Sequence, residues 1–179
     1  KYDSLLNINK YGFISNHEFL IRNTNSENRN TTYKNGKYAY ISGAYKFNSS
    51  LPLLKEDQKY KNILKPRLSI RVAPDHTKDE KNETRKVDLN NIYTLDRVTD
   101  QTTIEGGLSI TQGFDYSKLD KLTNNEILSI KLANNLRLNN NDDLTSTNSL
   151  GDKTSDIFSE IAYSPNSVIT TKYISSLKN

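Results

Sequence analysis

Five basic residues recur along two segments of this 179-residue chain, and they are the side chains best suited to binding an anion. The five are Lys65, Arg67, Arg71, Lys131 and Arg137. Guanidinium groups bind phosphate oxygens in a bidentate manner, and a lysine adds a compact positive charge. The same cations could instead solvate a polar surface or form ion pairs with Glu105, Asp115 and Glu126. Both interpretations stay open at this point.

An alternation of apolar and polar residues predicts that each basic segment is a β-strand with its cations on one face. The apolar positions are Leu64, Pro66, Leu68, Ile70 and Val72 in the first segment, and Leu128, Ile130, Leu132, Leu136 and Leu138 in the second, with a break at Asn134. A period of two residues is typical of a strand that lies between two different environments. The two predicted strands span residues 63–73 and 126–138.

A third alternation is longer and follows a turn-rich approach over residues 91–101. From Ile104 to Tyr116 the even positions are mostly apolar and the odd positions polar, which predicts a strand that begins near Thr102. This pattern persists for about a dozen residues, and a strand needs roughly 9 to 11 to cross a bilayer at a tilt. The length favours a strand that spans a membrane.

The composition fits a sheet with a polar interior better than a compact soluble domain. Only 34% of the residues are hydrophobic, and the charge is a mild +4. A membrane barrel needs no thick apolar core, because its outer face meets lipid and its inner face stays polar. Partial disorder also follows from low hydrophobicity, but the eleven tyrosines and the sustained alternation count against it. Any membrane insertion must use strands, because no run approaches 18 apolar residues.

The predicted fold class is all-β, an antiparallel transmembrane β-barrel segment of about seven strands in one domain over residues 1–179. Long loops are expected near residues 23–36, 75–101 and 139–155, with shorter connections between them, and a bulge is expected near Ser42 and Gly43. A closed single-chain barrel needs at least eight strands. We therefore expect a segment of a larger barrel, excised from a longer chain that supplies the missing start methionine.

Several short motifs resemble the LptD family, whose members assemble lipopolysaccharide in the outer membrane. The resemblance covers roughly residues 45–177 and depends on Leu-Lys-Pro-Arg-Leu at 64–68, Asn-Ile-Tyr-Thr-Leu-Asp-Arg at 91–97, Glu-Gly-Gly at 105–107 and Gly-Phe-Asp-Tyr at 113–116. The motif residues to which it assigns structural roles are Pro66, Asn91, Leu95, Asp96, Arg97, Glu105, Gly106, Gly107, Gly113 and Tyr116.

The resemblance implies the barrel domain of a Gram-negative outer-membrane translocon that delivers lipopolysaccharide to the outer leaflet. It implies four partners: lipopolysaccharide, outer-membrane lipid, an LptE-like plug lipoprotein, and a periplasmic LptA-like bridge reached through a missing N-terminal domain. Under this reading the five cations face the lumen and contact lipopolysaccharide. The loop around Asp96 and Arg97 is expected to fold into or over the barrel mouth, with Gly106 and Gly107 allowing close packing.

Other functions find less support in the residues. We expect no enzyme, no cofactor and no metal, because there is no cysteine and the two histidines, His17 and His76, have no ligand partner nearby in sequence. A nucleic-acid site is not expected, because the cations follow strand faces rather than a block with interleaved aromatics. Two alternatives remain: a generic porin-like or receptor-like barrel, and a soluble β-rich adhesin.

Overall fold

The computed structural model describes residues 1–28, 36–75, 87–97, 104–144, 149–166 and 168–178. His76, Thr102 and most of the loop predicted at 75–101 lie outside these ranges. No helix in the described ranges has the length and apolar character needed to cross a membrane.

The described residues form one antiparallel sheet of ten strands. In chain order they are β1 (Tyr2–Asp3), β2 (Asn7–Ile8), β3 (Ile14–Asn28), β4 (Gly36–Ser50), β5 (Leu53–Glu56), β6 (Tyr60–Ala73), β7 (Gly107–Asp120), β8 (Glu126–Arg137), β9 (Ile157–Tyr163) and β10 (Thr171–Leu177). The spatial order is β1-β3-β4-β6-β7-β8-β9-β10, with β2 on β3 and β5 on β6. Each long strand thus pairs with the next long strand along the chain, and within the described residues the sheet has two open ends.

The all-β antiparallel prediction is confirmed, and the seven strands of seven or more residues overlap the seven predicted. The predicted end of the first long strand was wrong, because β3 continues to Asn28 and β4 begins at Gly36. The loop predicted near 23–36 is therefore shorter than expected. Asn, Thr and Ser in this stretch suggested a loop, but the ladder is built from backbone hydrogen bonds, which tolerate polar side chains.

Two further predictions about strand geometry were wrong. Strand β7 begins at Gly107 rather than near Thr102, and Ile104 is fully buried in a loop that packs on the sheet. No register shift occurs between β3 and β4, so the bulge expected near Ser42 and Gly43 is absent from this ladder. The apparent change of phase arises because Tyr40 belongs to the same face as Ser42 rather than to the apolar face.

The apolar face of the sheet is exposed and the polar face is covered, which is the opposite of the arrangement in a soluble protein. Apolar side chains on one face remain exposed, for example Leu68 at 39%, Leu132 at 36% and Ile161 at 43%. The other face carries the polar residues, and it is covered. Seventeen buried residues of the described ranges are polar or charged and only ten are hydrophobic, which makes the interior mainly polar. We call these the outer face and the inner face.

The connections differ in length between the two ends of the sheet. The two long connections, at residues 74–106 and 138–156, leave from the same end as the connection between β3 and β4, because successive strands are antiparallel. The connections at residues 57–59, 121–125 and 164–170 leave from the other end and have seven residues or fewer. Residues 87–97 and 104–106, from the connection between β6 and β7, fold onto the inner face. We call these residues the plug segment.

Candidate functional site

A network of local hydrogen bonds gives the plug segment its shape. The carboxylate of Asp88 accepts hydrogen bonds from the backbone nitrogens of Asn90 (2.8 Å) and Asn91 (3.1 Å). The side-chain oxygen of Asn91 accepts one from the backbone nitrogen of Asp88 (3.0 Å), and Ile92 N donates to Asp88 O (2.9 Å). Asp and Asn stabilise turns in this way. Asn91, a motif residue, therefore organises the turn that leads into the site.

Apolar side chains of the plug segment pack where the inner face carries small residues. Ile92 joins a buried cluster with Ala133, and Leu95 joins another with Ala44 and Ala73. Ile104 belongs to the second cluster and is fully buried. Alanine at these wall positions leaves room for larger side chains, so close packing fixes the depth at which the plug segment lies.

Glu105 is the centre of a buried ionic cluster that joins the plug segment to strands β6 and β8. Arg97 donates to its carboxylate twice, at 2.8 and 2.5 Å. Arg137 of β8 also donates to it, and Arg71 Nη1 of β6 lies 3.8 Å away. Arg97 in addition donates to Asn135 of β8 at 2.7 Å. Both Glu105 and the guanidinium groups are almost fully removed from solvent.

The charges of this cluster keep Glu105 ionised. Burial alone raises the pKa of the carboxyl group, but the positive charges of Arg97, Arg71 and Arg137 outweigh that effect and lower the pKa to about 2. Three guanidinium groups thus share one carboxylate. Backbone oxygens accept further hydrogen bonds from Arg71 and Arg137.

Cations of the sheet bind the backbone of the plug segment directly. Arg71 donates to Leu95 O at 2.7 Å and to Glu105 O at 2.5 Å. Arg137 donates to Gly106 O at 2.6 Å, and Lys46 donates to the backbone oxygen of Tyr93. These contacts place the plug segment across β4, β6, β7 and β8 without adding a strand to the sheet.

A second ion pair holds the plug segment to β3. Arg22 Nη2 lies 2.7 Å from the carboxylate of Asp96, and both side chains are about three-quarters buried. Burial raises the pKa of Asp96, and the charge of Arg22 acts against that rise. The two adjacent motif residues therefore bind different strands, since Asp96 binds β3 while Arg97 binds β8.

Two motif glycines permit close approach. Gly107 has φ +95°, and an added Cβ would lie 2.8 Å from Arg137 Nη2. A Cβ on Gly113 would collide with the backbone oxygen of Leu132 and would lie 2.5 Å from the hydroxyl of Tyr93. Neither position can carry a side chain without displacing the arginine or the tyrosine that forms the site.

The five predicted cations have different surroundings. Arg71 and Arg137 are buried in the Glu105 cluster. Arg67 pairs with Asp115 at 3.2 Å and lies 3.8 Å above the ring of Tyr93. Ion pairing therefore accounts for these three, as one of the two interpretations anticipated.

Lys131 and Lys65 differ from the other three. Lys131 pairs with Glu160 of β9 at 2.9 Å and not with Glu126, which instead accepts a hydrogen bond from Ser117. Lys65 makes no hydrogen bond or ion pair within the described residues. Its direct cross-strand neighbour is Asp115, which is occupied by Arg67.

Two remaining motif residues lie on the outer face. Pro66 falls between the stretch of β6 that pairs with β5 and the stretch that pairs with β4, where a missing N–H breaks no ladder bond with those two strands. Tyr116 donates its hydroxyl hydrogen to Asn62 at 2.9 Å. Gly106 supplies a backbone oxygen to the cluster, as described above.

A cleft of about 330 Å³ opens on the inner face beside the plug segment. Its polar lining residues are Asn16, Glu18, Lys46, Asn48, Ser49, Ser50, Lys65, Arg67 and Tyr93. Within it Lys46 is paired with Glu18 at 2.8 Å. The cleft has the volume of a small ligand site, and Lys65 and Arg67 bring two of the predicted cations to it.

The sequence patterns missed Lys46, Asn135 and Glu160 as site residues. All three lie on the polar phase of a predicted strand, which was the available signal. Their partners Tyr93, Arg97 and Lys131 lie on other elements. Pairing between elements cannot be read from a period of two residues.

Comparison with known proteins gives one family. Residues 8–174 match the family model described as "LptD: LPS transport system D". No curated protein matches the chain. The matched range includes the plug segment, the ionic cluster and all of the cleft's lining residues listed above.

Proposed function

Because this chain belongs to the LptD family of lipopolysaccharide transport proteins, we propose that it forms part of the wall of an outer-membrane β-barrel that delivers lipopolysaccharide to the outer leaflet. The observation that carries the proposal is the inversion of the two sheet faces. An exposed apolar face opposite a buried polar face suits a wall with lipid outside and a polar passage inside.

The outer face supports contact with membrane lipid. Its exposed apolar residues come from adjacent strands, including Leu68 and Val72 of β6, Ile110 of β7, Leu132 of β8 and Ile161 of β9. Strands β3, β4, β6, β7 and β8 have 12 to 15 residues each, enough to cross a bilayer at a tilt. The open ends of the sheet would pair with further strands of the parent barrel.

The inner face supports passage of a polar, anionic head group. Lys65 and Arg67 line the cleft and are the two predicted cations best placed to contact lipopolysaccharide. Lys131 is 42% exposed in its side chain despite its pairing with Glu160. Arg71 and Arg137 hold the plug segment instead, which gives them an architectural role. The protein acts without covalent chemistry in this proposal.

The partners follow from the same proposal. Lipopolysaccharide would arrive from a periplasmic LptA-like bridge through a further domain of the parent protein, and an LptE-like lipoprotein would occupy the lumen of the whole barrel. The end with short turns would face the periplasm, and the end with long connections would face the exterior. The plug segment then lies nearer the exterior.

Two alternatives are less well supported. A soluble adhesin would pack its apolar face against a second sheet, whereas Leu132 and its neighbours on the outer face are exposed. A generic porin-like barrel would share the two faces, but it would not account for the match to a lipopolysaccharide transport family over residues 8–174.

Photocrosslinking in cells tests the proposal at two adjacent residues. A photoreactive amino acid is placed at Lys131 on the inner face or at Leu132 on the outer face of the full-length parent. We expect the Lys131 probe to capture lipopolysaccharide in transit and the Leu132 probe to capture bulk phospholipid. A folded barrel that captures no lipopolysaccharide at Lys131 would contradict the proposal.

A further inference from the structure

The cleft beside the plug segment contains polar groups with no partner in the described part of the chain. Lys65 has no ion pair there, because Asp115, its cross-strand neighbour, is bound by Arg67. The hydroxyl of Ser50 makes no hydrogen bond within the described residues. Asn16 uses only its side-chain oxygen, which accepts from Asn48 at 3.1 Å, so its amide hydrogens remain available.

Three other polar side chains of the cleft are held by hydrogen bonds or an ion pair. Asn48 donates to Glu18 at 2.7 Å and accepts from Ser69 at 2.9 Å. Lys46 is buried between Glu18 and the backbone oxygen of Tyr93. Side chains held by hydrogen bonds, beside donors that remain available, are what a preformed ligand site requires.

The charge of the cleft favours an anion. Three of its lining residues, Lys46, Lys65 and Arg67, are cationic, and Glu18 is the one carboxylate among the described lining residues. Asp115 lies beside the cleft and offsets Arg67. Lys65 is thus the charge left without a counter-ion, next to a free hydroxyl and a free amide.

We propose that this cleft is a subsite for a phosphorylated sugar, with Lys65 binding the phosphate and Asn16 and Ser50 binding sugar hydroxyls. The inference rests on the proposed function, because it assigns one step of the passage to a defined place on the inner face. A lysine provides a point charge for phosphate, and neutral amide and hydroxyl groups suit the hydroxyls of a sugar. The volume of about 330 Å³ holds roughly one or two sugar rings.

The position of the cleft along β6 determines when a moving head group would reach it. Lys65 lies on β6 toward the short-turn end, and Arg71, which holds the plug segment, lies toward the opposite end of the same strand. A head group that moves from the short-turn end would therefore meet Lys65 before it reached Arg71. The subsite would hold the head group at the edge of the plug segment, where Tyr93 lines the cleft.

Binding to the full-length parent in detergent tests the inference with native lipopolysaccharide and with lipopolysaccharide from which the phosphates have been removed chemically. The test variant is Lys65→Gln, and the matched control is Lys61→Gln, on the same strand but paired with Glu56 and outside the cleft. We expect Lys65→Gln to weaken binding of native lipopolysaccharide about tenfold and to leave binding of the dephosphorylated form unchanged. Lys61→Gln should leave the binding of both forms unchanged.

The possible results separate the subsite from the proposed function. Unchanged native binding in Lys65→Gln, or an equal loss for both lipid forms, would overturn the subsite. If Lys131 still captured lipopolysaccharide in cells under either of those results, the transport proposal would stand without it. A parent protein that bound neither form and gave no Lys131 adduct would overturn both.

Discussion

Arg97 Nη2 lies 2.5 Å from the carboxylate of Glu105, and neither residue is more than 2% exposed to solvent. The two residues are eight positions apart in the plug segment, so their ion pair closes that segment on itself. Arg71 of β6 and Arg137 of β8 also contact this carboxylate. The Glu105 side chain therefore both closes the plug segment and attaches it to the sheet.

Replacing Glu105 by Gln should detach the plug segment, because the three guanidinium groups would remain buried without a counter-charge. Removing one partner of a buried ion pair costs about 3 to 5 kcal/mol. We expect a loss of that order in the free energy of unfolding of the parent protein, measured by urea titration in detergent. Protease should also cleave the plug segment more readily.

Glu126→Gln is the matched control for that experiment. Glu126 is an exposed carboxylate at the start of β8, with a serine as its hydrogen-bond partner. Its replacement should change the free energy of unfolding by less than about 1 kcal/mol. Equal effects of the two substitutions would contradict the role assigned to Glu105.

The same carboxylate predicts a dependence of stability on acid. The pKa of Glu105 is about 2 in the folded protein against an ordinary value of 4.5. A lowered pKa contributes stability that is complete above about pH 4.5 and is lost as the pH falls toward 2, amounting to roughly 3 kcal/mol. Free energies of unfolding measured between about pH 5 and about pH 2 should show this loss. The slope should be smaller in Glu105→Gln, and an identical slope in both proteins would count against the assignment.

Gly113→Ala should displace both Tyr93 and strand β8 from strand β7 and so destabilise the protein. The new methyl group would overlap the backbone oxygen of Leu132 and crowd the Tyr93 hydroxyl. Overpacking of this kind costs about 1 to 3 kcal/mol. Gly43→Ala is a graded control, because its nearest atom, Leu20 O, lies 3.3 Å from the added Cβ. Thermal unfolding should rank Gly113→Ala below Gly43→Ala, and the reverse order would argue against the close approach at Gly113.

Leu132→Arg and Leu138→Arg should differ in the amount of folded protein that they yield, although both leucines are exposed. Leu132 lies within β8 on the outer face and is 36% exposed, whereas Leu138 follows the last residue of β8 and is 65% exposed. An arginine facing lipid near the bilayer midplane costs about 2 to 4 kcal/mol, and one near the interface about 0 to 1. The amount of folded parent protein in the outer membrane should fall for Leu132→Arg alone. Equal tolerance of both variants would favour a surface in water.

Face alternation was the part of the fold that could be predicted from sequence. The phases of β6 and β8 were correct because each strand has one apolar and one polar environment, which a period of two residues reports. Ile104 shows the limit of that method. It continues the alternation of β7 into a loop, where its burial comes from packing on Ala44 and Ala73 and not from a strand face.

The pairings of the site could not be predicted from sequence. The family resemblance singled out Asp96, Arg97 and Glu105 and led us to expect that their loop folds into or over the barrel mouth, whereas the structure places residues 87–97 and 104–106 on the inner face of the sheet. The partners of those residues could not be derived, because Arg22 is separated from Asp96 by 74 positions and Asn135 from Arg97 by 38. Contacts of that range depend on the path of the whole connection between β6 and β7.

The most direct test of the account is the environment of spin labels on alternate residues of the full-length parent in lipid vesicles. Single labels are placed at Leu68 and Leu132 on the outer face, and at Lys65 and Lys131 on the inner face. We predict that dissolved oxygen relaxes the first pair and that a water-soluble nickel chelate relaxes the second. Preferential relaxation of the Leu68 and Leu132 labels by the chelate would contradict the claim that the apolar face of this sheet meets lipid.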